Sequence, residues 1–358
     1  MSNFITKFNT HTAYNTYITG NNKILPNVSY CEDNNEVHYS RLEDYSQDYL
    51  TFVALENTTF TFTPTNNNVI SYSTDGGENW AEENSVTVNN GDNVMWKGQL
   101  TPTSNGIGTF SSTGNFNVQG NAMSLLYGDN FKGQTALTGT SKTFYSLFDS
   151  CTKLISAENL SLPATTLVEY CYSDMFRNCS ALVTAPELPA TTLASNCYYY
   201  MFNGCTALVT VPELPATTLA EYCYCNMFRG CTSLVTAPEL PATTLATDCY
   251  GGMFYCCTAL VTTPELPATT LATDCYSSMF NGCTSLTTPP ELPATTLASS
   301  CYNAMFWGCA SLTEVAVVPD SVKPVNSSYC YTMYYNCNVP HSNDYANEAY
   351  ESPGGGEN

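Results

Sequence analysis

Basic side chains are scarce in this chain: 10 Lys and Arg stand against 31 Asp and Glu in 358 residues, for a formal net charge of -21. The ten are scattered and form no cluster, which argues against nucleic acid or an anionic membrane as a partner bound through a basic patch. Charged residues of both signs reach only 11%, so the polar surface must come from Asn, Thr, Ser and Tyr. No apolar run approaches a membrane span, and no membrane insertion is expected. The N-terminal MSNFITKFNTHTAYNTYITGN lacks a signal h-region, so the expected product is made in the cytoplasm without general secretory export. Catalytic phrases are missing as well: there is no G-x-S-x-G, no H-E-x-x-H and no P-loop. The expectation is therefore a protein that is not an enzyme and carries no cofactor.

What is present is repetition. The stretch LVTAPELPATTLASNCYYYMFNGC, residues 182–205, recurs at a fixed step of 26 residues. Its first cysteine returns as Cys171, Cys197, Cys223, Cys249, Cys275 and Cys301, and its second as Cys179, Cys205, Cys231, Cys257, Cys283 and Cys309. A Met-Phe pair sits between them each time. A period of this size predicts a solenoid, in which no unit buries its apolar face alone and each must stack on its neighbours. Before the regular units, Phe144 to Cys151 form a degenerate first copy with Thr143 in place of the first cysteine. After them, Cys330 and Cys337 stand seven apart where interior units use eight.

The remainder divides by composition. Residues 1–48, rich in Asn, Thr and Tyr, are expected to form an extended attachment arm with one Val/Tyr segment able to make a strand. Residues 49–128 hold the short segments YLTFVA, TTFTFT, VISYS, SVTV, NVMWKG, IGTFSS and NFNVQG, punctuated by Gly and Asn, which predicts a small β-sandwich. Within it, Ser73-Thr74-Asp75-Gly76-Gly77-Glu78-Asn79-Trp80 resembles the Asp-box hairpin of sialidases and other β proteins. Asp75 should accept turn N–H groups, Gly77 should supply a positive φ, and Trp80 should fold over the hairpin. The solenoid should occupy residues 129–337, and residues 338–358 should be a flexible tail.

Inside one unit, residues 182–188 should give a short strand, irregular because Pro186 and Pro189 lack ladder donors. Residues 197–205, with Cys197, Met201 and Cys205 on one side, suit about two turns of helix. The phrase Met201-Phe202-Asn203-Gly204-Cys205-Thr206-Ala207-Leu208 and the following Val209 to Pro215 resemble the BspA-like, or Treponema-type, leucine-rich repeats. Arrays of the LPATTLA type are similar to those of gut Bacteroidetes surface proteins and of phages and prophages infecting them. That resemblance implies a binding or adhesion protein, placed on a phage particle for host recognition or, alternatively, on a bacterial surface. Its partners would be host surface glycan or protein, with other virion proteins held through the arm; a homo-oligomer stays open.

Three sets of side chains are candidates for function. The 18 cysteines read best as buried, reduced small hydrophobes rather than disulfides or metal ligands, because the only close pairs, Cys223/Cys225 and Cys256/Cys257, lack the two-residue gap of metal sites and the histidines His11, His38 and His341 lie outside the array. Glu187, Glu213, Glu239, Glu265 and Glu291 form an acidic column, either simply solvated or neutralised by a cation or basic partner. Most informative are the positions that differ between near-identical units. One column reads Arg177, Asn203, Arg229, Tyr255, Asn281, Trp307; the neighbouring pairs read Ser173-Asp174, Tyr199-Tyr200, Cys225-Asn226, Gly251-Gly252, Ser277-Ser278 and Asn303-Ala304. Lying between buried positions, these should face solvent. Arg177, Tyr199, Tyr200, Asn203, Arg229, Tyr255, Asn281 and Trp307 are the expected ligand-binding residues, being types common in binding hot spots.

Overall fold

The computed structural model describes residues 44–323 and 325–339, together with three strands nearer the N-terminus. These are β1 (Thr6–Phe8), β2 (Val28–Asp33) and β3 (Glu36–Arg41), an antiparallel sheet in the order β1-β3-β2. The segment expected to give one strand thus gives two. The rest of the expected arm, and the expected tail beyond residue 339, lie outside the described residues.

All seven expected segments between 49 and 128 are strands: β4 (Leu50–Ala54), β5 (Thr58–Pro64), β6 (Ile70–Ser73), β7 (Ser85–Val88), β8 (Asn93–Gly98), β9 (Gly108–Ser112) and β10 (Phe116–Asn121). The reason is visible in β5, where Phe60 and Phe62 are buried and the threonines between them are half-exposed or exposed, as period-two patterning requires. β7, β5 and β9 form one sheet; β6, β8, β4 and β10 lie in a second, whose fifth strand is β11 (Leu154–Ser161). Aromatic rings join the two sheets: Phe52 of β4 lies 5.2 Å from Phe60 and 4.8 Å from Phe110 of β9.

β11 ties this part to the repeats. It pairs in parallel with β10, and its Ser156 also bridges Thr184 of the next repeat. Phe148, from the degenerate first copy, stacks on Phe110 at 5.7 Å on one side and on Phe176 at 5.4 Å on the other. One hydrophobic core therefore runs from Leu50 to Val339.

The repeats depart from the expected strand and helix. Residues 197–205 form a ladder of tight turns and contain no helix. Alternate amides point along the stack: Tyr172 N–H donates to the Cys197 carbonyl (2.9 Å), Tyr198 to Cys223 (3.0 Å), Tyr224 to Cys249 (3.0 Å), Tyr250 to Cys275 (3.1 Å) and Tyr276 to Cys301 (3.0 Å). Four more such chains run beside this one, through Asn196 to Glu221, Tyr200 to Cys225, Phe202 to Met227 and Gly204 to Arg229. The intervening amides close three-residue turns, as from Met201 to Tyr198 and from Cys205 to Phe202, both at 3.1 Å. Every fourth residue is left-handed: φ is 57° at Asn196, 55° at Tyr200 and 74° at Gly204. A left-handed residue interrupts a right-handed helix, so the side chains alternate two in, two out. Cysteine and methionine four apart fit this four-residue period as well as they fit 3.6, which is why spacing alone pointed to helix.

Likewise 182–188 makes no strand. Single parallel bridges at Thr184–Thr210 and Thr236–Thr262, and a second set at Thr166–Thr192, Thr218–Thr244 and Thr270–Thr296, are all the flanking prolines leave. Packing then compensates for the irregular backbone. Tyr172, Tyr198, Tyr224, Tyr250, Tyr276 and Tyr302 form a buried column with ring spacings of 5.7 to 6.2 Å. A phenylalanine column from Phe148 to Phe306 runs beside it, and Tyr334 continues it at 5.4 Å.

Candidate recognition surface

The two-in, two-out pattern fixes where each candidate side chain lies. Tyr199, Tyr200, Asn203, Arg229, Tyr255 and Asn281 are half-buried on the outer side of the turn ladder, and Trp307 is exposed. They are not all equally available. The Arg177 guanidinium is held by Asp149, with Nε–Oδ1 at 3.1 Å and Nη2–Oδ2 at 2.7 Å, and by Asp174 at 2.9 Å. This clamp joins the degenerate first copy to the first regular one. Burial raises the Asp174 carboxyl, with Arg177 and the Ser173 hydroxyl acting against it. Arg229 lies over the Tyr255 ring, 4.4 Å from its centre, and Tyr199 and Tyr200 pack edge to face at 4.2 Å. Trp307 packs at 4.7 Å against Tyr335 of the last copy, with the ring planes tilted by 59°.

The variable pairs are less exposed than their variability implied. Ser173, Asp174, Cys225, Gly251, Gly252 and Ala304 are buried. Backbone geometry explains much of their choice. Asp174, Tyr200, Asn226, Gly252, Ser278 and Ala304 share the second left-handed position, with φ between 50° and 58°, where Asn, Asp and Gly are favoured. Gly251 leaves room for the Asp248 carboxylate, which a Cβ at this position would strike. Burial, with Asp274 nearby, raises the Asp248 carboxyl.

The cysteines from Cys151 to Cys309 are free thiols, all buried but the half-buried Cys256. The second column has a specific role. Cys205 Sγ donates to the Phe176 carbonyl at 3.0 Å, Cys231 to Phe202 at 3.2 Å and Cys257 to Phe228 at 3.1 Å, one repeat back each time. Desolvation pushes these thiols up, Cys257 to about 12. A thiolate nucleophile or ligand is thus disfavoured here.

The five glutamates of the acidic column are exposed, and none is in an ion pair among the described residues. Between them lie shallow depressions. One of about 270 Å³ is lined by Pro264, Glu265, Pro267, Pro290 and Glu291; its counterpart of about 300 Å³ is lined by Pro212, Glu213, Pro215, Pro238 and Glu239.

The Asp-box-like hairpin is built as its sequence prescribes. Asp75 accepts from Asn79 N–H at 3.0 Å, Gly77 has φ of 90°, and the Trp80 indole donates to the Gly77 carbonyl at 3.0 Å. Hydrogen bonds from the Asn79 backbone and side chain and from the Ser73 hydroxyl hold the Asp75 carboxyl down at about 2. Lys97 lies 4.0 Å from the Trp80 ring centre and 2.7 Å from Asp129, so the hairpin is locked to the sheet.

Sequence reasoning passed over Tyr335 and the exposed Tyr331 as surface residues. The signal for Tyr335 was present: it stands two before Cys337, as Trp307 stands two before Cys309. The two-residue stretch in the last connector had hidden that alignment.

Compared with known proteins, residues 198–340 match the family model described as BspA type Leucine rich repeat region, in six copies. Neither a curated protein nor a solved structure matches the chain.

Proposed function

We propose that this BspA-type leucine-rich repeat array is the recognition surface of a non-enzymatic adhesion or interaction protein. On this reading the copies stack as a solenoid, and the two β-sheets before it form a sandwich that seats its first turn. One observation carries the reading: near-identical copies hold unlike, half-exposed Tyr, Arg, Asn and Trp side chains at a single place on a hydrogen-bonded frame. A rigid frame lowers the entropy lost when such side chains meet a partner. The surface carries a single Arg between residues 178 and 322, so steering by basic charge contributes little.

The test is binding of the labelled full chain to a panel of bacterial cells, compared with a variant carrying Asn203→Ser, Arg229→Ser, Tyr255→Ser, Asn281→Ser and Trp307→Ser together. Loss of binding with an unchanged fold is the expected result. Equal binding by both chains removes the column from the reading. The finer placement, on a phage particle with the arm docked to other virion proteins and the array turned to host glycan or protein, is supported by the likeness of the LPATTLA arrays. Mass spectrometry of purified particles against host envelope fractions separates it from a bacterial surface adhesin.

A further inference from the structure

The turn ladder changes character along its length. At the N-terminal end Arg177 is occupied by Asp149 and Asp174. In the middle Tyr199 packs on Tyr200 and Arg229 on Tyr255. Towards the C-terminal end the outward positions are Asn281, Asn303, Trp307, Tyr331 and Tyr335, three aromatics and two amides without a charge among them. Trp307 is 37% exposed and Tyr331 59%. The left-handed positions beside Trp307 are Gly282, Ala304 and Gly308, all small, and the ring packed against it is that of Tyr335. The Asn303 amide oxygen accepts no hydrogen bond among the described residues, a deficit that a bound donor would fill once the side chain turns outward.

We propose that this C-terminal patch is a carbohydrate subsite, taking a neutral pyranose ring on the open side of Trp307, bordered by Tyr335, with hydroxyls read by Asn281 and Asn303. The assignment rests on the array being a recognition surface and names its ligand class. Its logic is chemical. A sugar offers one apolar C–H face for an aromatic ring and a rim of hydroxyls that both donate and accept, which suits an amide's paired donor and acceptor. The patch joins exposed aromatic surface to amides and carries no charge.

The experiment is a panel of immobilised neutral oligosaccharides probed with the purified full chain, with Trp307→Ala, Trp307→Phe and Asn303→Ala variants and the Glu239→Gln control from the acidic face. The expected result is binding to one or more neutral sugars, weakened about tenfold or more by Trp307→Ala and Asn303→Ala. Trp307→Phe should retain part of it and Glu239→Gln all of it. Because Trp307 is exposed, its variants should keep the wild-type circular dichroism and melting. Cell binding read in parallel separates the two levels. If cells lose the chain after protease but not after periodate, and Trp307→Ala also abolishes that binding, the recognition surface stands and the carbohydrate assignment is overturned. If a sugar binds but all variants bind it equally, the patch is overturned as its site.

Discussion

At the scale of single residues, the thiols carry the clearest consequences. Cys231 is fully buried and donates to the Phe202 carbonyl, which also accepts the Cys205 amide at 3.1 Å. Removing the thiol therefore leaves no orphaned carbonyl, and the loss is one of packing. Cys231→Ala should cost about 1–2 kcal/mol, measured by chemical denaturation. A loss beyond about 4 kcal/mol would show that the sulfur–carbonyl ladder does more than fill space. Titration gives a second expectation. Burial raises the folded thiols from an ordinary value of 9.0 to about 12 at Cys171, Cys249 and Cys257. Below pH 9 both folded and unfolded chains keep these protons. Between about pH 9 and 12 only the folded chain does, so the unfolded chain gains and stability falls as pH rises. The buried tyrosines act in the same direction. Far-ultraviolet circular dichroism should show a steep alkaline unfolding above pH 9; a flat stability curve from pH 9 to 12 contradicts the burial of the columns. At pH 8 in the native state, iodoacetamide should reach Cys256 ahead of every other array thiol.

At the scale of the element, the turn ladder is both the main departure from the sequence reading and its most testable part. The periodicity located the repeating Cys, Met and Phe columns, though not the buried Cys225, and the strands before the array came out at the expected segments, because alternation and 26-residue spacing report inside against outside. They do not report handedness. A four-residue turn repeat and a helix place Cys197, Met201 and Cys205 on the same side. The distinguishing signal is the residue types at 178, 204, 230, 282 and 308, where Asn or Gly recurs in the left-handed conformation. A glycine such as Gly204 also suits the end of a helix, which uses the same backbone freedom, so it does not by itself separate the two. The tyrosine column is not evident from sequence because Tyr198 stands beside the half-buried Tyr199 and Tyr200 in CYYYMF and only the register separates it from them. The outer face was legible in part: variation picked out a column that does lie on the outer side of the ladder, but Gly251, Gly252 and Asp174 are buried, and their residue types follow backbone conformation and burial. Ser278 tests the geometry. Its φ is 54°, so Ser278→Gly should be neutral or stabilising by up to about 1 kcal/mol, and Ser278→Val should destabilise by about 1–2 kcal/mol. Ser277→Val, one residue earlier and outside the left-handed set, should cost less than Ser278→Val. Equal costs at 277 and 278 in thermal melts would argue against the alternating backbone.

At the scale of the molecule, the two ends of the stack are treated differently, and this sets which pieces can be removed. Interior copies meet neighbours through the same five hydrogen-bonded chains on either side, so the array is a sum of copies and nearest-neighbour interfaces. The first copy has no repeat before it. Its edge is covered by the β-sheets instead: Phe110 N–H donates to the Leu147 carbonyl at 2.8 Å, the Thr109 hydroxyl donates to the Ser146 carbonyl at 3.1 Å, and β10 pairs along β11. Deleting residues 208–233, one full step, joins Ala207 to Leu234 and restores every column in register. The shortened chain should stay folded and soluble, with small-angle scattering showing a particle about 4.8 Å shorter along the stack. Deleting 13 residues, 208–220, sets Phe and Tyr columns against Pro and Glu positions and should abolish cooperative melting. Removing residues 1–140 should do more damage than the 26-residue deletion although it leaves all regular copies intact, because it bares Phe148, Leu147 and the β11 edge together. A soluble, cooperatively melting fragment 141–358 would mean that the repeats close their own first end, and that the β-sheets are an appended module with no part in holding the array.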